Sequence, residues 1–468
     1  MPSFTSLKRG LLPLLALAAL GAGAALLFLK APPPAASTPA TVPLDLWFTS
    51  DTSGRIEPCG CFAGQYGGLT RISTTLNNKP PGSLKFEIGN ALAGLEDYQI
   101  LQFRHLLQAQ GKIGYDALNL GSREASLPAT TLRSLAQNSP VPLLSANVLD
   151  ATTRQPVVEP WRIVLRNGLR IGLIGVVSSP KAEPHPSVLI EDATEALRRV
   201  IPQVKEKADV LICLAFTDEA GLEQIARDFY ELPIILGGEV RQPSPSLVRV
   251  NQSWILATTN QSRALGELHT VWDRATRTLA PATGEISLMH DKIPEDPAIA
   301  SFSHAYRKEV RTADLTIDHP GTAGDAIPGV APTATYTGSA ACAGCHATAF
   351  ESWQKSGHAH AFESLVRKDS DTDPSCIACH VTGFGERGGY ERRMKGASFV
   401  NVGCESCHGP ASDHVQARSP AAASGTAVLQ KMRPVGPGQC VQCHHGEFSR
   451  PFKYEAFWPK IIHGLESK

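Results

Sequence analysis

The sequence predicts a layered α/β domain followed by a C-terminal module of short helices and coil. From Leu44 to about Leu288, short apolar runs alternate with helical patterns, as in strands and helices stacked in layers. From Tyr336 onward that alternation stops, and four Cys-x-x-Cys-His motifs take its place. Between the two, a Gly/Ala/Pro/Thr-rich stretch from about Pro320 to Thr335 reads as a linker. The expected organisation is therefore 1–30 targeting segment, 31–43 linker, 44–290 α/β domain, 291–335 helix and linker, and 336–468 C-terminal module.

The chain opens with Lys8-Arg9, nineteen mostly apolar residues from Leu11 to Leu29, and then Lys30 and a Pro/Ala/Ser/Thr stretch to about Pro43. Basic residues ahead of an apolar run direct the remainder outward. Ala22-Gly23-Ala24 offers a cleavage site, but the apolar run continues past it and is long enough to span a bilayer. This favours a single uncleaved membrane anchor over a signal peptide, with the body on the extracytoplasmic side. Lys plus Arg and Asp plus Glu each number 44, so no charge excess points to a nucleic-acid partner.

Within the α/β region, Leu44 to Thr49, Ser83 to Ile88, Ile171 to Val177, Asp209 to Ala215 and Pro233 to Leu236 read as strands. Gly172, Gly175, Gly237 and Gly238 mark tight strand ends where a site can form. Cys213 lies inside an apolar strand and reads as a core residue. A helix is expected from Pro294 to Val310.

The four motifs are Cys342-Ala-Gly-Cys345-His346, Cys376-Ile-Ala-Cys379-His380, Cys404-Glu-Ser-Cys407-His408 and Cys440-Val-Gln-Cys443-His444. Two thiols at this spacing reach the two vinyl groups of one porphyrin, and the adjacent imidazole binds its iron. Structural zinc combines two knuckles in one tetrahedral site and does not call for a histidine after each pair. The motifs thus predict four covalently bound haem c groups, held through Cys342, Cys345, Cys376, Cys379, Cys404, Cys407, Cys440 and Cys443. His346, His380, His408 and His444 are the expected proximal ligands. His358, His360, His414 and His463 are the candidate distal ligands, whereas His445, beside a proximal histidine, reads as exposed. Only Met394 and Met432 compete in this segment, so bis-histidine iron of comparatively low potential is expected. A haem without a distal histidine could bind a small molecule such as nitric oxide or hydroxylamine.

Two resemblances add to this reading. Thr49 to Arg55, Gly67 to Arg71, Ile88-Gly-Asn90, Gly114 to Glu124, Leu144 to Asn147 and Leu236 to Arg241 resemble the catalytic domain of periplasmic 5'-nucleotidases, among the calcineurin-like metallophosphoesterases. The resemblance implies an αββα sandwich with a two-metal site. Of that family's ligands only Asp51 is present: Ser53, Asn90, Ser122-Arg123, Phe216, Glu239 and Arg241 stand where the others would be. Two neighbouring cations need several anionic and imidazole ligands, so phosphate ester hydrolysis is not expected here.

The second resemblance, from Tyr336 to the end, is to the multihaem cytochrome c family typified by the tetrahaem carrier of bacterial ammonia oxidation. It rests on Tyr336 to His346, Trp353 with Ser356 to Ala361, Cys379 to Gly385, Gly403 to Pro410 and Trp458 to His463.

The remaining pair, Cys59 and Cys61, lies in Glu57-Pro-Cys-Gly-Cys61, just after the strand that would deliver Asp51. It reads as a catalytic redox pair, as a static disulfide or thiol staple, or as a metal or cluster ligand pair. Similar nucleotidase-like proteins carry selenocysteine in this loop, which implies redox chemistry without naming a substrate. The expected function is an exported electron-transfer protein serving membrane or periplasmic donor and acceptor proteins. A haem-fed reductase using Cys59 and Cys61 is the alternative. A third reading, subunits polymerised into conducting filaments, sits poorly with an anchor and a bulky first domain.

Overall fold

The computed structural model describes residues 40–58, 65–179, 182–259, 261–313, 333–386, 388–390, 397–419, 432–445 and 452–463. The expected anchor, the linker core, the Cys59/Cys61 pair and Met394 lie outside these residues. Among the described residues no helix is long and apolar enough to cross a membrane.

In chain order the strands are β1 (Thr41–Thr49), β2 (Leu84–Glu87), β3 (Ala117–Asn119), β4 (Leu143–Leu144), β5 (Val148–Asp150), β6 (Trp161–Arg166), β7 (Leu169–Ser178), β8 (Val188–Ile190), β9 (Val210–Thr217), β10 (Ile234–Gly238), β11 (Val248–Val250), β12 (Ser253–Ala257), β13 (Ala264–Asp273), β14 (Thr278–Leu279) and β15 (Thr283–Leu288). One sheet runs β14-β13-β1-β2-β3-β4, with β15 also on β13; the other runs β11-β12-β10-β9-β7-β6; β5 and β8 form a small pair. From β1 to β4 and from β12 to β7 neighbouring strands are parallel, so their C-terminal ends share one edge. In open parallel sheets that edge is where ligands bind.

Strand alternation builds three apolar layers. On β7, Ile171 and Leu173 point between the sheets, where they meet Phe48, Phe86, Ile212 and Leu236. Ile174 and Val176, on the opposite face, pack with Leu197, Val200 and Ile225 of the helices Ala193–Lys205 and Glu219–Asp228. Trp47, out of phase with Phe48 on β1, joins Ile72, Phe103 and Leu106 on the other outer face. The result is a helix-sheet-sheet-helix sandwich. Cys213 is fully buried in it, and burial pushes its thiol up to about 12.

The helix expected near Pro294 runs Pro297–Ala313 and packs on Asp97–Ile113 through Tyr306, Val310, Tyr98 and Leu101. Its far end meets the C-terminal module: Arg311 Nη2 donates to Asp369 Oδ1 (2.6 Å) and Asp371 Oδ1 (3.0 Å). The module itself consists of short helices and turns. Among the described residues its largest buried apolar cluster is only Phe362, Leu365, Ile377, Val381 and Tyr390.

Candidate functional site

The Cys-x-x-Cys-His motifs close on helical turns. The His346 amide donates to the Cys342 carbonyl (2.9 Å) and the His444 amide to the Cys440 carbonyl (2.8 Å). Residues three apart on such a turn share a face, as two bonds to one flat ring require.

The histidines then sort themselves by geometry. His346 faces His414 with ring centroids 6.2 Å apart, His358 faces His444 at 6.0 Å, and His408 faces His463 at 6.0 Å. A ring nitrogen lies about 1.1 Å from its centroid and about 2 Å from a bound metal, so two imidazoles on opposite sides of one metal have centroids about 6.3 Å apart. Each pair therefore fits one iron between its rings, and each joins the histidine of one motif to a histidine from elsewhere. In the His408–His463 pair the ring nitrogens divide the work. His463 uses Nδ1 on the Ile461 carbonyl (2.8 Å) and His408 uses Nδ1 on the Arg433 carbonyl (3.3 Å), which leaves both Nε2 atoms for a metal. Burial holds His358, His408 and His444 below the ordinary histidine range, in the neutral form that a metal binds.

His360 stands apart from the other candidates. It is exposed, and its two ring nitrogens contact Glu363 Oε1 (3.1 Å) and the Gln354 carbonyl (3.2 Å). Neither nitrogen is left for iron, so the geometry selects His358 of the two. His445 is exposed. His380, in the second motif, has its Nδ1 at 2.7 Å from the Ala361 carbonyl and no ring partner among the described residues.

The motifs are packed together in a definite order. Cys342 and Cys404 lie within hydrogen-bonding reach of each other, as do Cys379 and Cys443, and Cys407 lies close to Cys440. Once haem is attached these sulfurs are thioethers, so their proximity and not their acidity is informative. The first motif adjoins the third, the third the fourth, and the fourth the second. Glu405, buried within the third motif, ties this end of the module together by accepting from the amides of Thr337 (2.9 Å), Gly338 (2.7 Å) and Ala411 (2.9 Å).

In the sandwich, the ends of β1, β2, β3, β9 and β10 converge on Asp51, Asn90, Ser122-Arg123, Phe216 and Glu239. The Arg123 guanidinium bonds the Asp51 carboxylate and the Asn90 carbonyl (2.8 Å), while its own amide donates to Asn90 Oδ1 (2.9 Å). Phe216 is fully buried here, and the Ser179 hydroxyl donates to Glu239. Among the described residues no group of three or more His, Cys, Asp or Glu is placed to hold a metal ion. Asp51, Ser53, Asn90 and Glu239 all have positive φ (54°, 53°, 57° and 63°), a backbone form that clusters at functional sites. Sequence reading missed the role of Arg123 in this cluster, although the change of residue at its position was visible. The flanks of the Cys59/Cys61 loop are held: Glu57 is bonded by Arg307, and an added Cβ at Gly68 would lie 2.7 Å from the Pro58 nitrogen.

The sandwich and the module each have known counterparts. The family profile described as "Cytochrome c554 and c-prime" matches residues 341–409. Cytochrome c-554 of Nitrosomonas europaea is 31% identical over 170 residues, covering 30% of this chain and 71% of that protein. The 5'-nucleotidase of Vibrio cholerae is 27% identical over 242 residues, covering 45% of this chain and 43% of the nucleotidase. The chain thus spans less than half of that relative. In structure, the 5'-nucleotidase precursor of Thermus thermophilus superimposes with a TM-score of 0.50 at 22% identity, covering 60% of this chain and 61% of that one. The calcineurin-like phosphoesterase YfkN of Bacillus subtilis gives 0.51 at 16% identity, covering 58% of this chain and 99% of that one. These two establish the fold of the sandwich and nothing beyond it. Together the motifs and relatives define a c-type cytochrome, an electron carrier with covalently bound haem c, preceded by a 5'-nucleotidase-like sandwich. The chain belongs to the cytochrome c554 family.

Proposed function

We propose that this chain is an exported tetrahaem electron carrier of a respiratory chain, tethered by its N-terminal segment and fronted by a phosphoesterase-like sandwich that has lost its metal site. The observation that carries the reading is the set of three facing histidine pairs at 6.0 to 6.2 Å, each including the histidine of a different motif. His346 with His414, His408 with His463 and His444 with His358 would each hold an iron from both faces, and His380 would hold the fourth from one face. Haem bound at these residues supplies one-electron transfer. The packing of the motifs in the order first, third, fourth, second gives the carrier two ends, one at each outer motif. Donor and acceptor proteins would meet it there, on the extracytoplasmic side.

His380 gives the second motif a different task from the others, because with no opposing imidazole among the described residues it leaves room for a small ligand such as nitric oxide or hydroxylamine. The haem-fed reductase remains a second reading. Arg307, which bonds Glu57 at the foot of the Cys59/Cys61 loop, also acts electrostatically on Asp373, just ahead of Cys376.

Intact mass and pyridine haemochrome analysis of the isolated protein should give four haems per chain. Low-temperature electron paramagnetic resonance of the oxidised protein should show three low-spin centres and one high-spin centre. Fewer than four haems, or four low-spin centres, would sink this assignment. Thiol trapping of Cys59 and Cys61 before and after haem reduction tests the second reading, which an unchanged pair removes.

A further inference from the structure

We propose that the sandwich sets the potential of the haem on the second motif, raising it so that electrons moving along the row settle at that end. The inference rests on the haem assignment above and concerns residues of the sandwich, which lie outside the matched cytochrome segment. The second motif is formed to take its haem. Its turn closes through the Cys379 amide on the Cys376 carbonyl (3.4 Å), and His380 has Nδ1 on the Ala361 carbonyl (2.7 Å), which leaves Nε2 for iron.

Both halves of the chain build the junction beside this motif. Ahead of Cys376 runs Ser370-Asp371-Thr372-Asp373, four consecutive polar residues that are each at most 7% exposed. Such a run belongs on the surface unless something covers it, and here the sandwich does. Tyr98 and Tyr306, both buried, lie within electrostatic reach of Asp373 and Cys376, and Tyr98 hydrogen-bonds the Ser375 side chain. Arg307 and Arg55 act on Asp373 from the same side, and Arg311 bonds Asp371 (3.0 Å). Asp373 in turn caps the turn that carries Cys376: its side chain accepts from the Ser375 amide (3.0 Å) and its carbonyl from the Cys376 amide (2.9 Å).

Two effects of the sandwich on this haem have the same sign. A ferric haem carries one more positive charge than a ferrous one, so taking its attachment edge out of water favours the reduced form. A cation nearby also opposes the ferric state. On the sandwich side Arg55, Arg307 and Arg311 stand against Glu57, which Arg307 bonds, and the exposed Glu96 near Tyr98, an excess of cations. The carboxylates of Asp371 and Asp373 belong to the module's own turn, and the sandwich offsets them. Because the motifs pack in the order first, third, fourth, second, a raised potential at the last gives the row a direction. One electron, supplied by the donor that feeds the row, passes from the ferrous haem of the fourth motif, which is oxidised, to the ferric haem of the second, which is reduced, and no bond changes.

The test is a spectroelectrochemical titration of the full-length, haem-loaded protein, with the four one-electron steps resolved and the haem count measured on the same sample. Arg307→Gln removes a positive charge from the junction and Glu57→Gln a negative one, although each breaks the same ion pair. One of the four steps should move down in Arg307→Gln and up in Glu57→Gln. Each shift should be at least threefold in the oxidised-to-reduced ratio at a fixed potential, about 30 mV for one electron. The other three steps should stay where they are, and Arg307→Lys, which keeps the charge, should leave all four near the parent. A purely structural role for the ion pair would move the step the same way in both Gln variants. That result, four unmoved steps, or an equal shift of all four overturns the proposal. Failure of the haem assignment itself reads separately, as fewer than four haems per chain.

Discussion

Glu87, the last residue of β2, offers a quantitative test of the buried interior of the sandwich. Its side chain is fully buried, and one carboxyl oxygen accepts from Thr49 Oγ1 (2.6 Å), Thr52 Oγ1 (2.5 Å) and Gln110 Nε2 (3.2 Å). Burial pushes its pKa up to about 8; the threonine hydrogen bonds pull against this, and the nearby Glu124 carboxylate adds to it. In the unfolded chain the group ionises near 4.5. Between those two values the native protein keeps a proton that the unfolded chain has released, so stability falls as pH rises, by about 1.4 kcal/mol per pH unit. The contribution is fully present below the unfolded value and is lost as pH rises toward 8. From pH 5 to pH 7 the expected loss is about 2 to 3 kcal/mol. Glu87→Gln retains an acceptor for the two threonines and does not ionise. Urea unfolding followed by circular dichroism at pH 5, 6, 7 and 8 should therefore show the variant gaining about 2 to 3 kcal/mol on the parent between pH 5 and pH 7. Parallel stability curves for the two proteins would show that Glu87 is ionised in the fold, and the argument from its burial would fail.

Three further outcomes follow from the geometry. His414→Ala removes the ring facing His346, so one low-spin centre should become high-spin while the haem count stays at four, as read by paramagnetic resonance and intact mass. Glu405→Gln places amide hydrogens against the amides that the carboxylate now accepts from; it should cost about 2 to 4 kcal/mol by urea unfolding, the range for breaking a buried charged network. Arg311→Ala removes a bond to the exposed Asp369 and one to the buried Asp371; it should cost about 1 to 3 kcal/mol by urea unfolding and raise the rate of limited proteolysis between the sandwich and the module.

Much of the architecture was legible because its signals are local. Short apolar runs announce the strands, and Gly237-Gly238 does close β10. Gly172 and Gly175, read as strand ends, instead lie inside β7, where an added Cβ would meet Val204, Leu211 and Asn119. Four repeats of one pentapeptide announce the C-terminal module. Pairing was not legible, because which imidazole faces which depends on how distant turns pack. His414 follows the third motif in sequence, yet it faces His346 of the first. His358 and His360 are two residues apart and look equivalent on paper. What separates them is Glu363, three residues after His360, which together with the Gln354 carbonyl engages both ring nitrogens. The change at Arg123 could be read from the sequence, but its bonds to Asp51 and Asn90 join three strand ends and exist only in the fold.

The strand ends of the sandwich carry strained backbone at Asp51, Ser53, Asn90 and Glu239. A left-handed conformation costs an ordinary residue about 1 to 2 kcal/mol, and Ser53 and Glu239 have neither the side chain nor the flexibility that makes it easy for Asn or Gly. Such strain persists only where the surroundings over-determine it. Here the Asp51 amide is fixed to the Gly89 carbonyl (2.8 Å) and the Ser53 amide to the Asn90 carbonyl (3.1 Å), so β1 and β2 hold each other's ends in place. Arg123 then bridges the Asp51 carboxylate and the Asn90 carbonyl with its positive charge. The strained strand ends are thus held by the sandwich's own backbone and by Arg123, in a chain whose haem motifs lie in the other half.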